Sequence, residues 1–93
     1  MESGEDGWWG FLELCSGVKG AEALNELLWL FLTHEERADI ATRFLIVREL
    51  LKGEKTQREI AKDLGVSIAK ITRGSNYLKT ISKNLRRLLE SRS

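Results

Sequence analysis

Residues Thr56–Ile71 read TQREIAKDLGVSIAKI, and this stretch decides the fold. Thr56 followed three residues later by Glu59 is a capping box, the reciprocal pattern that opens a helix. The helix it begins runs about two turns and ends at Leu64-Gly65, after which Ser67 caps a second helix reaching Lys79. Two short helices packed in a helix-turn-helix need a small residue where they approach, a turn glycine able to take positive φ, and apolar residues locking the pair. Those requirements fall on Ala61, on Gly65, and on Ile60, Leu64, Val66 and Ile71. An arbitrary amphipathic hairpin supplies the apolar residues but seldom this register.

Working outward, everything periodic has the helical period. Thr33-His34-Glu35-Glu36 repeats the capping box and opens a long helix through Ile40, Phe44, Val47 and Leu51, closed by Gly53. After a polar start, MESGED, a stripe of Trp8, Phe11, Leu12 and Cys15 stops near Gly17 and Gly20, and a very apolar second helix runs from Ala21 to Leu32. Ser82 caps a last helix with Leu85, Leu88 and Leu89 on one side and Arg86, Arg87 and Arg92 among its charges. With no proline and no alternation of the strand type, the chain reads as all-α with about six helices. Residues 1–93 form one domain: a helical dimerisation core over 7–53, the helix-turn-helix over 56–79 and a terminal helix over 82–92. The neighbouring Trp8 and Trp9 are expected to bury one ring in a core or dimer interface and leave the other partly exposed.

Ninety-three residues are few for a self-sufficient core, and the first three helices are too apolar for one small chain to cover, so a homodimer is expected. The single Cys15 allows no intramolecular disulfide, and without a secretory signal or a membrane-length apolar run the expected location is cytoplasmic. Net charge is only +1, but it is unevenly spread. Residues 1–51 carry 4 Lys/Arg against 10 Asp/Glu, and residues 52–93 carry 11 against 4. A basic half on a nearly neutral chain points to an anionic partner met by one face, double-stranded DNA before a membrane surface. One histidine, His34, and one cysteine provide neither a metal cluster nor a nucleophile-base pair, so no enzyme, cofactor or metal is expected.

In a helix-turn-helix the second helix presents its N-terminal residues to base edges and the first crosses the backbone. Ser67, Ile68, Ala69, Lys70 and Thr72 are accordingly placed to face bases, and Gln57, Arg58 and Lys79 to touch phosphates. Inside the second helix stands TRGSN, residues 72–76. A helix-interior glycine costs about 1 kcal/mol relative to alanine, so Gly74 needs a reason. One reason is a ligand: Arg73 would hold a carboxylate while a flat ring packs on bare backbone at Gly74, with Tyr77 one turn on. The other makes Arg73 a phosphate contact and Gly74 a close helix crossing. The residues alone leave both open.

From Leu30 to Lys79 the chain resembles the bacterial tryptophan repressor family, in LTHEERADIATR, GEKTQREIAKDLG and, most specifically, ITRGSNYLK. The resemblance implies an intertwined all-helical homodimer that represses tryptophan-biosynthesis or uptake genes when L-tryptophan, the corepressor, is bound. Carried over by position, the ligand site comprises Leu30, Leu32 and Thr33, then Arg43, then Arg73, Gly74 and Tyr77, with both subunits contributing. The indole would lie between the guanidinium groups of Arg43 and Arg73, and the carbonyls ending the second helix would accept from the amino group. This chain departs from the family at two points. Tyr77 stands where better-known members have a small residue, commonly serine, and its ring either narrows the pocket or turns away. Lys70 replaces a small uncharged residue. A regulator of the same fold that answers to another aromatic metabolite, or to none, is the alternative.

Overall fold

A computed structural model describes residues 4–92, which form six helices and, among the described residues, no strand. They are α1 (Gly4–Ser16), α2 (Ala21–Phe31), α3 (His34–Lys52), α4 (Gln57–Leu64), α5 (Ile68–Leu78) and α6 (Lys83–Ser91). The all-α expectation is met. The polar start is helical from Gly4 onward, and Met1, Glu2 and Ser3 lie outside the described residues. No helix among the described residues is long and apolar enough to cross a membrane. The chain divides into two compact units, Met1–Glu36 and Arg37–Ser93.

The first unit is an aromatic helical pair. Phe11 of α1 meets Phe31 of α2 edge-on with ring centroids 5.3 Å apart, and Trp8 stacks at a tilt on Phe11 at 5.8 Å. Gly20, at φ 87°, begins α2, and the amide of Leu32 closes it on the carbonyl of Leu28. Thr33 then caps α3. Its Oγ1 accepts from the Glu36 amide at 3.1 Å, while Glu36 Oε1 accepts from the Thr33 amide at 2.8 Å. Trp8 and Trp9 are both more than half exposed in the single chain, so neither ring is buried in a core of one protomer.

The second unit is built on the helix-turn-helix. Thr56 and Glu59 exchange both capping-box bonds, at 2.9 and 3.2 Å. Those bonds, the backbone one foremost, hold the Glu59 carboxyl below its ordinary value. Gly65 takes the left-handed conformation at φ 66°, ψ 36°, which turns the chain so that the Val66 amide returns to the Ala61 carbonyl. Ser67 caps α5 and Ser82 caps α6. Ile60 and Ile71, one from each short helix, are fully buried against each other's elements, with Ala61 and Ile46 of α3 completing the core and Leu50, Leu64 and Val66 around it. Every residue assigned to the helix-turn-helix lock is therefore in or against this core.

The inward face of α3 is not the stripe read from sequence. Ile46 and Leu50 meet the core, while Ile40 and Phe44 are half exposed, as are Leu85 and Leu88 of α6. The periodic apolar stripe and the face covered within one chain are different faces of the same helix. Lys55, in the α3–α4 turn, reaches Asp63 at 2.7 Å and Glu49 at 3.9 Å, and the Asp63 bond is the main cause of its raised pKa. Both ends of that pair are solvated, so it contributes little to stability.

Candidate nucleic-acid interface and adjoining cleft

The two sides of α5 are set by its buried residues. Ile71 and Gly74 face the core, so the opposite side carries Ala69, Thr72, Arg73 and Asn76 on one helical stripe. With Ile68, Tyr77 and Thr80 these line an open groove of about 620 Å³ on the outside of the helix-turn-helix. Ile68, Ala69 and Thr72, three of the expected base-facing residues, thus share one surface. Ser67 stands exposed at the N-cap just before them, its hydroxyl accepting from the Lys70 amide.

Gln57 and Thr72 are joined directly. The Thr72 hydroxyl donates to Gln57 Oε1 at 2.9 Å, tying the first residue of α4 to the outer stripe of α5 across fifteen positions. Arg58 and Lys79 are exposed and open to solvent. Lys70 lies apart from the stripe: it stands on the flank of α5 that looks toward α3.

That flank borders a second, deeper cleft of about 770 Å³ within the same unit, walled by α3, α5 and α6. Arg43 and Phe44 of α3, Arg73, Gly74 and Tyr77 of α5, and Leu85 and Leu89 of α6 are among its lining. Four of the seven residues expected to hold a ligand, Arg43 from α3 and Arg73, Gly74 and Tyr77 from α5, are therefore brought to one cavity. Leu30, Leu32 and Thr33 belong to the first unit, where Leu30 is exposed and the Thr33 hydroxyl and amide are engaged in the α3 cap.

Gly74 has a packing reason of its own. A Cβ built on it would stand 3.2 Å from Ile46 Cγ2 and 3.5 Å from Leu50 Cδ1, so the missing side chain lets α5 cross close over α3. It also leaves bare backbone in the cleft wall, and the two readings of the glycine are compatible. Tyr77 is 68% exposed and lines both cavities, so its ring stands at the rim instead of filling the cleft. Arg73, too, borders both.

Two features escape a reading of motifs. Arg86 of α6 donates from Nη2 to the carbonyl of Leu78 at 2.9 Å, fixing the end of α5 where its last carbonyls lack helical partners. Asn76 joins the outer stripe, and helical spacing from Ala69 and Thr72 is the signal that places it there. Among the described residues no group of His, Cys, Asp and Glu could hold a metal ion.

Comparison with known proteins gives a consistent result. The sequence matches the family described as Trp repressor protein over residues 6–93. It is 54% identical over 91 residues to a Trp operon repressor homolog of Chlamydia caviae, covering 98% of this chain and 90% of that protein. A homolog from Chlamydia trachomatis serovar D is 51% identical, covering 92% of each chain. One from Vibrio cholerae is 44% identical over 77 residues, or 83% of this chain and 75% of the other. The likeness therefore extends through α1 and α2, beyond the Leu30–Lys79 stretch in which the shared motifs lie.

Proposed function

Because the chain belongs to the Trp repressor family, a family of DNA-binding transcription regulators and not enzymes, we propose that it represses transcription as a homodimer whose grip on operator DNA depends on L-tryptophan. The observation that carries this reading is the double position of Arg73. It borders the outer groove beside Ala69 and Thr72 and also the cleft that holds Arg43 and Gly74, so a ligand in the cleft acts on the surface that meets DNA.

The chemistry of the cleft suits an aromatic amino acid. Two planar guanidinium groups, Arg43 and Arg73, favour the faces of a flat ring, and Arg73 can also take a carboxylate. Bare backbone at Gly74 lets the ring approach. The carbonyls ending α2, at Leu30 and Leu32, with Thr33 beside them, supply the acceptors an ammonium group requires, and in the proposed dimer they come from the second subunit. Ser67, Ile68, Ala69 and Thr72 would then meet base edges, with Gln57, Arg58 and Lys79 on phosphates, while Lys70, on the flank toward α3, falls outside the base-facing stripe. The genes controlled would be those of tryptophan synthesis or uptake.

Ligand and DNA must tighten each other's binding by the same factor. Titrating L-tryptophan into operator-binding assays tests this, and Arg73→Ala is expected to abolish the linkage while leaving weak, salt-sensitive, nonspecific binding largely intact. Operator binding equally tight with and without tryptophan would overturn the reading. It would favour a regulator of the same fold answering to another aromatic compound or to none.

A further inference from the structure

The Thr72 hydroxyl stands in the outer groove beside Ile68 and Ala69, and its proton is already given to Gln57 Oε1 at 2.9 Å. A hydroxyl has one proton and two lone pairs, so once that proton is committed it can only accept. We propose that Gln57 fixes the polarity of Thr72, so that Thr72 selects a base presenting an exocyclic amine in the major groove. This rests on the proposal that α5 reads operator DNA.

The choice this imposes is chemical. On a given strand, adenine and cytosine offer an amine donor in the major groove, whereas guanine and thymine offer only acceptors. An accept-only hydroxyl facing guanine O6 or thymine O4 places lone pairs against lone pairs; facing adenine N6 or cytosine N4 it completes a hydrogen bond. Gln57 is essential to that discrimination. Without Gln57 the threonine hydroxyl keeps its proton for whichever acceptor DNA presents, so guanine O6 and thymine O4 are no longer disfavoured. With Gln57 present, the proton is drawn across to α4 instead. The arrangement also orients Gln57: with its oxygen turned to Thr72, its amide nitrogen keeps both protons for an acceptor outside the protein, such as a phosphate oxygen. Gln57 is thus a positioning residue for the base contact as well as an expected backbone contact.

The test is a binding selection on a library of palindromic duplexes randomised in both half-sites, run in saturating L-tryptophan with the wild-type protein, Gln57→Ala, Gln57→Glu, Thr72→Ser and Thr72→Val. At one position per half-site the wild type is expected to favour A or C over G or T on one strand, by on the order of ten-fold, the size of one lost base contact. Gln57→Ala and Thr72→Val are expected to lose that discrimination while keeping the preferences at other positions. Thr72→Ser retains it. Gln57→Glu, which still accepts the proton but has no donor for phosphate, is expected to keep the base preference while binding all sites more weakly. Discrimination in Gln57→Ala equal to that of the wild type would overturn the inference and leave the proposed function standing. So would a drop spread evenly over all positions, since that marks a phosphate contact or a loosened head. A wild-type selection without any preferred sequence would overturn the proposed function and, with it, this inference.

Discussion

Replacing Gly74 with alanine sets two effects of opposite sign against each other. Alanine in the middle of α5 gains about 1 kcal/mol in backbone entropy over glycine. Its Cβ, however, would stand 3.2 Å from Ile46 Cγ2, closer than ordinary van der Waals contact, and Ile46 is only 3% exposed, with little room to move. Overpacking of this kind costs about 1–3 kcal/mol. The crowding therefore wins, and Gly74→Ala is expected to destabilise by about 1 kcal/mol in urea unfolding at a fixed protomer concentration. A double-mutant cycle locates the cause. Ile46→Ala alone is expected to cost about 2–5 kcal/mol, as a buried truncation does, and to cost at least about 1 kcal/mol less when the new Cβ partly fills the space it vacates. Gly74→Ala that stabilises the protein, or a cycle additive within about 0.5 kcal/mol, would refute the close crossing of α5 over α3. Loss of tryptophan affinity with stability unchanged would refute it too, leaving the glycine as ligand space alone.

The remaining predictions can be checked on the same protein. Sedimentation equilibrium is expected to find a dimer, because Trp8, Trp9, Trp29, Leu30, Phe31, Ile40 and Phe44 are left exposed by a single chain; a well-folded monomer at micromolar concentration would contradict this. Thr56→Ala is expected to cost about 1 kcal/mol as a lost helix cap. The same substitution tests pH dependence: Glu59 has a lowered pKa, so its contribution is present above the ordinary value of 4.5 and is lost as pH falls through the depressed one. Acid titration of stability is thus expected to flatten over that window in Thr56→Ala, and an unchanged acid limb would count against the reciprocal cap. With the Tyr77 ring at the rim, Tyr77→Ser is expected to strengthen tryptophan binding about five-fold through one added hydroxyl partner and to sharpen preference over indole-3-propionate. Calorimetry in which Tyr77→Ala tightens both ligands alike would instead place the ring inside the cleft.

Local chemistry made the helix boundaries legible. Thr33, Thr56, Ser67 and Ser82 each cap a helix through a side-chain bond confined to four residues, and Gly65 marks its turn because positive φ is cheap for glycine. The helix-turn-helix lock was legible for the same reason, since Ile60, Ala61, Ile71 and Val66 lie within twelve positions of one another. What periodicity could not give was the assignment of faces on α3. Its sequence is apolar on more than one side, so Ile46 and Ile40 look alike until α4 and α5 are seen to cover one and not the other. Gly74 was ambiguous because its neighbour is Ile46, twenty-eight positions away, and no local pattern encodes that approach. The Gln57–Thr72 bond was hidden likewise: each residue was placed near DNA, but their meeting depends on how α4 and α5 cross.

These contacts constrain how a ligand can change DNA binding. Alpha5 is held to α4 by Ile60, Ala61 and Ile71 in the core and by the Thr72–Gln57 bond at the surface. It is held to α3 by the close crossing at Gly74, and its last carbonyls are tied to α6 through Arg86. A helix fixed on so many sides has little freedom to bend or turn by itself, because packed interiors shift between discrete arrangements and do not deform smoothly. Under the proposed function, a ligand's effect would then fall on the reading head as a body, through the orientation of α4 and α5 together. The required differential is modest: a coupling of about 1–3 kcal/mol, typical of two-site linkage, is within reach of a few charge-assisted contacts at Arg73 that one orientation makes and another does not. On this account the rigidity of the helix-turn-helix is itself part of the switch. A substitution that loosens it, such as Ala61→Gly, is expected to lose tryptophan linkage and base selectivity together, even though Ala61 lines neither the cleft nor the outer groove.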